Sequence, residues 1–313
     1  MKPVYSVVIP VYNEEEVLNV AFSRIDAVMQ GIGDPYELIF VNDGSKDGTA
    51  ELVDILAAQH QQVKVLHFAR NFGHQIAVTA GLDAASGDAV VIIDCDLQDP
   101  PEVIVEMAEQ FRKGYDVVHG KRIKREGETL FKKVSAWFFY RIMKKMVGFP
   151  IEADAGDFRL ISKRALDAVR SMPEHNRYLR GMFAWVGFKQ TSVSFYRAKR
   201  YAGKTKYSLS KMITLACNGI LSFSLKPLDW VSFAGAGLFG IGIFWLLTLL
   251  ALILFGKSVS GTVGLAGLII LLSGAIVGCL GVVAAYIGRI YDEVKGRPLY
   301  LIAERRGFEA EES

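Results

Sequence analysis

Two carboxylates one residue apart, Asp94 and Asp96, close the short apolar run Ala89-Val90-Val91-Ile92-Ile93. Paired acids at the end of a buried strand repel one another unless a cation lies between them. The pattern therefore predicts a divalent-metal clamp at the carboxyl edge of a sheet, where open α/β sheets bind their ligands. Two further acidic loops follow apolar runs: Pro10-Val11-Tyr12-Asn13-Glu14-Glu15 and Asn42-Asp43-Gly44-Ser45-Lys46-Asp47-Gly48-Thr49. A parallel sheet would bring all three loops to one edge. There Asp43 could accept hydrogen bonds from a base or ribose. Asp94 and Asp96 could hold Mg2+ or Mn2+ against a diphosphate, because such ions take one or two carboxylates with phosphate oxygens and water. Asp47 and Asp99 read instead as turn or cap residues. No GxGxxG follows the first run and no GxxxxGK(S/T) occurs, which argues against a dinucleotide dehydrogenase and a P-loop ATPase.

The elements that must position these loops are legible as alternating patterns over residues 1–120. Apolar, β-branched-rich runs at Tyr5–Ile9, Glu37–Val41, Val63–Phe68, Ala89–Ile93 and Asp116–His119 predict strands. Between them, Glu14–Met29, Thr49–His60, Gln75–Ala85 and Glu102–Lys113 predict helices, with Asn13 capping the first and Asp99-Pro100-Pro101 opening the fourth. Such alternation predicts βαβ units and a mostly parallel sheet. The chain of 313 residues carries a formal net charge of +3, so charge alone implies no nucleic-acid partner. Cys95, Cys217 and Cys279 are scattered, which suits a reducing compartment and predicts neither a disulfide framework nor a zinc site. The first apolar run is short and broken by Pro10, so no secretory signal is expected.

The second half is organised differently. Lys121, Arg122, Lys124 and Arg125 precede a predicted basic amphipathic helix, about residues 129–147, suited to a membrane surface, a calmodulin-like partner or an ordinary packed face. Val231–Phe255 and Val259–Ile287 contain no charged residue. Each exceeds the roughly 20 residues needed to cross a bilayer core. With Gly256-Lys257-Ser258 as the turn, they predict a transmembrane helical hairpin, with spans at about 231–255 and 263–287. Ala236/Gly240 and Gly274/Gly278 offer small-residue faces that would allow close helix contact and self-association into a homo-oligomer. Lys204, Lys206, Lys211 and Lys226 before the hairpin, and Arg289, Lys295, Arg297, Arg305 and Arg306 after it, place both ends in the cytosol by the positive-inside rule. The expected organisation is a cytosolic catalytic domain over 1–207, an interfacial helix over 208–229, two transmembrane helices within 230–289 and a cytosolic tail over 290–313.

The three acidic motifs, with Asp94-Cys-Asp-Leu-Gln-Asp-Pro-Pro in full, resemble the signatures of family 2 inverting glycosyltransferases with the GT-A fold, a Rossmann-like α/β domain. Gly156-Asp157-Phe158-Arg159-Leu160 and Arg200-Tyr201-Ala202-Gly203-Lys204-Thr205-Lys206-Tyr207 resemble the polyprenyl-phosphate branch, which includes dolichyl-phosphate mannose synthases and bactoprenol glucosyltransferases. The C-terminal pair of spans is closer to the latter. The resemblance implies transfer of one sugar from a nucleotide-sugar donor to a polyprenyl phosphate such as undecaprenyl phosphate, at the cytosolic face of the cell (inner) membrane. It implies that Pro10, Tyr12, Glu14 and Asp43 line the nucleoside pocket, and that Asp94 and Asp96, with Gln98 alongside, hold the metal. It places Asp157 at the catalytic-base position. A lipid phosphate is largely a dianion at neutral pH, so Asp157 is expected mainly to orient the acceptor through Arg159 or another basic residue.

Arginine suits the acceptor phosphate because its planar fork binds phosphate bidentately. Arg122, Arg125 and Arg141 are the candidates there, the alternative being a solvated basic loop drawn to anionic lipid. Arg200 and Lys206 are better placed for the donor diphosphate. His74 reads as a structural hydrogen-bonding residue at a helix start and stands outside the catalytic set. A processive polysaccharide synthase is disfavoured because no QxxRW motif occurs, a transporter because the hairpin carries no intramembrane ionisable residue. A membrane-tethered, non-catalytic nucleotide-sugar-binding module is the remaining alternative. UDP-glucose is the first-choice donor by resemblance, followed by UDP-N-acetylglucosamine and GDP-mannose.

Overall fold

A computed structural model describes residues 2–123, 155–196, 226–255 and 261–308. The expected amphipathic helix at 129–147, most of the expected interfacial helix at 208–229 and the turn at 256–258 lie outside the described residues. Among the described residues eight strands form one sheet: β1 (Tyr5–Val11), β2 (Tyr36–Asn42), β3 (Val63–Phe68), β4 (Ala89–Ile92), β5 (Val117–Arg122), β6 (Ala155–Ser162), β7 (Gln190–Phe195) and β8 (Ile302–Arg306). Their order across the sheet is β7-β5-β6-β4-β1-β2-β3-β8. The helices packed with it are α1 (Leu18–Ile32), α2 (Thr49–Gln59), α3 (His74–Ala84), α4 (Val103–Arg112), α5 (Lys163–Arg170) and α6 (Leu179–Trp185).

The apolar runs become strands because they are covered on both faces. Every residue of β1 and β4 is buried, as are all but the first of β2. That is the habit of parallel strands flanked by helices. β3, β2, β1 and β4 run parallel, as the alternating pattern predicts. The remainder of the sheet is mixed. β6 lies antiparallel between β4 and β5, and β8 lies antiparallel on β3, while β5 and β7 are parallel. The fold is thus a GT-A-like mixed α/β sheet, less uniformly parallel than the alternation implies. The antiparallel strands come from the irregular middle of the chain and from its end, where no βα repeat is readable.

Two local expectations change. α1 starts at Leu18 without a side-chain cap, and Asn13 is not its cap. Asn13 instead adopts a left-handed backbone (φ 53°), and its Oδ1 accepts from Lys46 N at 2.8 Å. Asn tolerates this conformation and can bridge loops with its short amide. α4 begins at Val103, after the two prolines, and Asp99 ion-pairs with Arg122 instead of capping it. Asp47 does act as a turn residue, accepting from Thr49 N at 3.1 Å.

A second compact unit is built around α7 (Lys226–Leu254) and α8 (Gly261–Lys295), which contact one another. Many of their large apolar side chains are exposed, among them Phe233, Phe244, Ile276, Val277 and Leu280. Among the described residues, one stretch, Leu272–Lys295, is by length and composition long and apolar enough to cross a membrane. The segment after Arg289, expected as a tail, carries the end of α8 and then β8, which belongs to the unit containing the sheet.

The loops after β2 and β3 approach closely at Gly44. Its φ is 65°, and a Cβ there would lie 2.8 Å from Arg70 C and Asn71 N. Gly44→Ala therefore combines left-handed strain with a backbone clash. It should lower stability by about 2 kcal/mol, read as an earlier denaturation midpoint of the detergent-purified protein.

Candidate active site

The site grows from strand register. β4 and β6 are antiparallel with Ile92 opposite Arg159. Two residues on in each direction, the same face carries Asp94 and Asp157. An acid at the end of a parallel-core strand thus meets an acid near the start of an antiparallel one. His74, the first residue of α3, comes between them: its Nε2 is 3.6 Å from Asp94 Oδ1 and 3.6 Å from Asp157 Oδ2. Arg180, on the first turn of α6, donates from Nε to Asp157 Oδ1 at 2.9 Å and from Nη2 to Oδ2 at 3.2 Å.

Charge crowding dictates the protonation of this group. Burial, joined by the carboxylates of Asp157, Asp96 and Asp99, pushes Asp94 up to about 6, against the pull of His74. Burial alone would lower His74, but Asp94 and Asp157 outweigh it and raise the imidazole to about 9. Burial would likewise raise Asp157. Arg180 and His74 overcome it and hold that carboxyl well below the usual range. At neutral pH the centre therefore contains a cationic His74 and an ionised Asp157.

The other expected residues fall into place around it. Pro10 lies buried in β1, and Tyr12 and Glu14 follow that strand, partly buried. Glu14 N donates to Thr49 Oγ1 at 2.9 Å, tying the first loop to α2. Asp43 is buried, with Oδ1 accepting from Phe72 N at 2.6 Å and Oδ2 from Gly73 N at 2.9 Å. Burial is the larger effect and leaves its carboxyl above the ordinary value despite those two amides. Asp96 Oδ1 accepts from Gln98 N at 3.0 Å, and Leu97 between them takes a left-handed backbone (φ 55°). That conformation is strained for a large side chain and is typical of ligand-holding turns.

Two expected arginines have other partners. Arg122 donates from Nε and Nη2 to the two carboxylate oxygens of buried Asp99, at 3.1 and 2.9 Å. Arg159 is almost fully buried beneath the Phe183 ring, 5.0 Å from its centroid. It donates to the carbonyls of Gly156 and Asp157, and burial lowers it to about 10. Its nearest approach to the Asp157 carboxylate is 3.9 Å, so Arg180, not Arg159, is the close partner of Asp157. Arg125, Arg141, Arg200 and Lys206 lie outside the described residues.

A divalent cation suits this edge. Asp94 and Asp96 supply hard oxygen donors, and a cation would favour the charged form of Asp94, which burial chiefly, with the neighbouring carboxylates, disfavours. Among the described residues no group of three or more His, Cys, Asp or Glu is arranged to hold a metal. Two carboxylates completed by substrate oxygens and water are the habit of Mg2+ and Mn2+.

Sequence reasoning set His74 outside the catalytic set and did not single out Arg180; the structure brings both against Asp157. His74 had a signal: it opens a helix at the same sheet edge, directly after a glycine. Arg180 had none, since its proximity to Asp157 comes from tertiary packing. The charge on His74 has a testable consequence. Its stabilising effect is complete below its ordinary value of 6.5 and is lost as pH rises through about 9. In EDTA and without substrate, the melting temperature should fall between pH 6.5 and 9.5, and His74→Asn should flatten that slope. An unchanged slope in the variant would reject the assignment.

The glycosyl transferase family 2 profile matches residues 6–170. An uncharacterized glycosyltransferase, YkcC, of Bacillus subtilis (strain 168) is 48% identical over 97% of this chain and 95% of its own length. The bactoprenol glucosyl transferase of Shigella phage SfII is 39% identical over 95% of this chain and 96% of its own. Among solved structures, glucosyl-3-phosphoglycerate synthase from Mycobacterium tuberculosis, in complex with Mn2+ and UDP-glucose, aligns with 70% of this chain and 77% of its own, at 20% identity and a TM-score of 0.46. With the family matched over half of the chain and a full-length relative at 48% identity, this chain belongs to glycosyl transferase family 2 and is a glycosyltransferase enzyme.

Proposed function

We propose that the enzyme transfers one sugar, with inversion, from a nucleotide-sugar to a polyprenyl phosphate at the cytosolic face of the cell membrane, with UDP-glucose as the first-choice donor. The observation that carries this reading is the meeting of Asp94 with Asp157, His74 and Arg180 at one sheet edge. On this reading Asp94 belongs to the metal-holding donor end, and His74 and Arg180 to a basic acceptor end. Similarity along nearly the whole chain to a bactoprenol glucosyl transferase supports the acceptor class and the sugar. The charge-free stretches Val231–Phe255 and Val259–Ile287 support two membrane spans, with the sheet domain and both ends on the cytosolic side.

On this reading Tyr12, Glu14 and Asp43 meet the nucleoside. Asp43 does so with lone pairs beyond those engaged by Phe72 and Gly73, since an ionised carboxylate offers about four acceptor sites. Asp94 and Asp96, with Gln98 alongside, would hold Mg2+ or Mn2+, whose charge offsets that of the departing diphosphate. A phosphate oxygen of the lipid forms the new bond to the anomeric carbon as the bond to the donor diphosphate breaks on the opposite face. Asp157 is a weak base with its carboxyl so low, and a phosphate dianion needs no proton removed. Its work is to hold Arg180 and His74 toward the acceptor. Arg180 then takes the phosphate-facing place expected of Arg122, and Arg125 and Arg141 remain proposed partners of the lipid headgroup. Arg159 positions the Gly156–Asp157 backbone from beneath.

The deciding experiment incubates the purified enzyme with undecaprenyl phosphate and each of UDP-glucose, UDP-N-acetylglucosamine and GDP-mannose, with Mg2+, Mn2+ or EDTA. Mass analysis of the lipid should show a single hexose added from UDP-glucose, and none in EDTA. Sugar on water alone, or no lipid product with any donor, would reject the proposal. Asp157→Asn should lower kcat on the order of 100-fold through mispositioning and follow the parent's pH profile. Recovery of the variant toward pH 9 would show instead that proton removal was the missing step.

A further inference from the structure

β8 lies far from the reacting groups in sequence and carries none of the residues assigned above. Together with Tyr300 and Leu301 just before it, the strand nevertheless touches, through short chains of contacts, both loops that flank the nucleotide end of the site. The first chain is aromatic. Tyr300 stacks on Phe68 at the end of β3, with centroids 5.3 Å apart and planes within 18°. Phe68 meets Phe72 edge-on at 5.5 Å, and the Arg70 guanidinium covers Phe72 at 4.6 Å. Phe72 and Gly73 supply the two amides held by Asp43. Leu301 O accepts from Ala69 N at 3.0 Å, fixing the start of that loop. Tyr300 Oη donates to Asp83 Oδ2 at 2.9 Å, on the helix that begins with His74.

The second chain is polar. Asn42 Nδ2 can only donate, so His67 Nδ1 accepts from it at 3.0 Å, and His67 Nε2–H donates to Asp54 Oδ1 at 3.0 Å. Asn42 Oδ1 in turn accepts from Ser45 N at 3.0 Å, shaping the loop that holds Asp43. On β8, Arg306 Nε lies 3.9 Å from the same Asp54 oxygen. The end of the strand is closely fitted as well. Gly307 has φ 71°, and a Cβ there would strike Val63 O, so its turn onto β3 admits little else. Lys64 covers the Phe308 ring at 5.2 Å.

We propose that Tyr300 and β8 are a positioning element for the donor site, holding the Arg70–Gly73 and Asn42–Gly48 loops in the geometry that receives the nucleotide. Tyr300 is the positioning residue, acting through Phe68 and Phe72. What those loops receive rests on the reading under Proposed function; that β8 sets their order does not. By linkage, donor binding and docking of the strand reinforce one another to the same extent.

Amide exchange of the full-length protein in detergent, without ligand, tests the positioning directly. Tyr300→Leu should speed exchange of the Phe72 and Gly73 amides about tenfold or more, while peptides from β1 and β4 match the parent. Tyr300→Phe, which keeps the stacked ring and loses the bond to Asp83, should lie between the two. Unchanged exchange over Arg70–Gly73 in Tyr300→Leu, with β8 itself deprotected, would overturn the proposal, because the strand could then be lost without disturbing the loop. Kinetics separate positioning from general weakening: Tyr300→Leu should raise KM for the sugar nucleotide about tenfold, with kcat and acceptor KM within about twofold. A uniform loss of kcat at unchanged donor KM would count against it. The exchange measurement needs no substrate, so it stands even if the proposed reaction fails the donor screen.

Discussion

Repulsion between carboxylates governs this enzyme's sheet edge. Asp94, Asp96, Asp99 and Asp157 gather there, and two unit charges about 4 Å apart near a protein surface interact by roughly 4 kcal/mol. Such a cluster is costly unless cations lie among its acids. The structure answers with interleaved cations: Arg122 across Asp99, Arg180 across Asp157, and His74 between Asp157 and Asp94. The compensation is uneven. Arg180 and His74 hold Asp157 well below the ordinary carboxyl value, whereas burial, with the neighbouring carboxylates, leaves Asp94 raised to about 6.

The seam between β4 and β6 joins two chain directions at the site. On one side, the parallel strands β4, β1, β2 and β3 deliver acidic loops to a common edge, as parallel strands must. On the other, antiparallel β6 brings its early residues to that same edge, so Asp157 enters from the opposite chain direction. A wholly parallel sheet would have put Asp157 at the far end. α6 then supplies Arg180 and the Phe183 ring over Arg159, which explains why an otherwise costly buried guanidinium lies under the site.

The parallel core was legible because burial on both faces forces near-continuous apolar runs, and β1 to β4 follow within a residue or two at most ends. The acidic loops were legible as well, since strand ends and loop chemistry coincide. What could not be read is tertiary in origin. No spacing links Arg180 to Asp157, or Arg122 to Asp99, because each pair closes across separate elements. Asn13 looked like a helix cap because the chemistry of an N-cap and of a loop bridge is the same short polar side chain. β8 looked like a tail because four of its five residues are exposed and three are charged, the composition of an edge strand as much as of a solvated end.

That edge strand sets an order of events during synthesis. Val65 waits for Arg306, so β3 is made early and remains a bare edge until both long helices, α7 and α8, have been translated. Closing so long a loop is slow and entropically unfavourable. The β3 edge is therefore the last edge of the sheet whose partner is made. An early-terminated chain would keep its seven other strands, and with them an open, pairing-competent edge that marks it as unfinished.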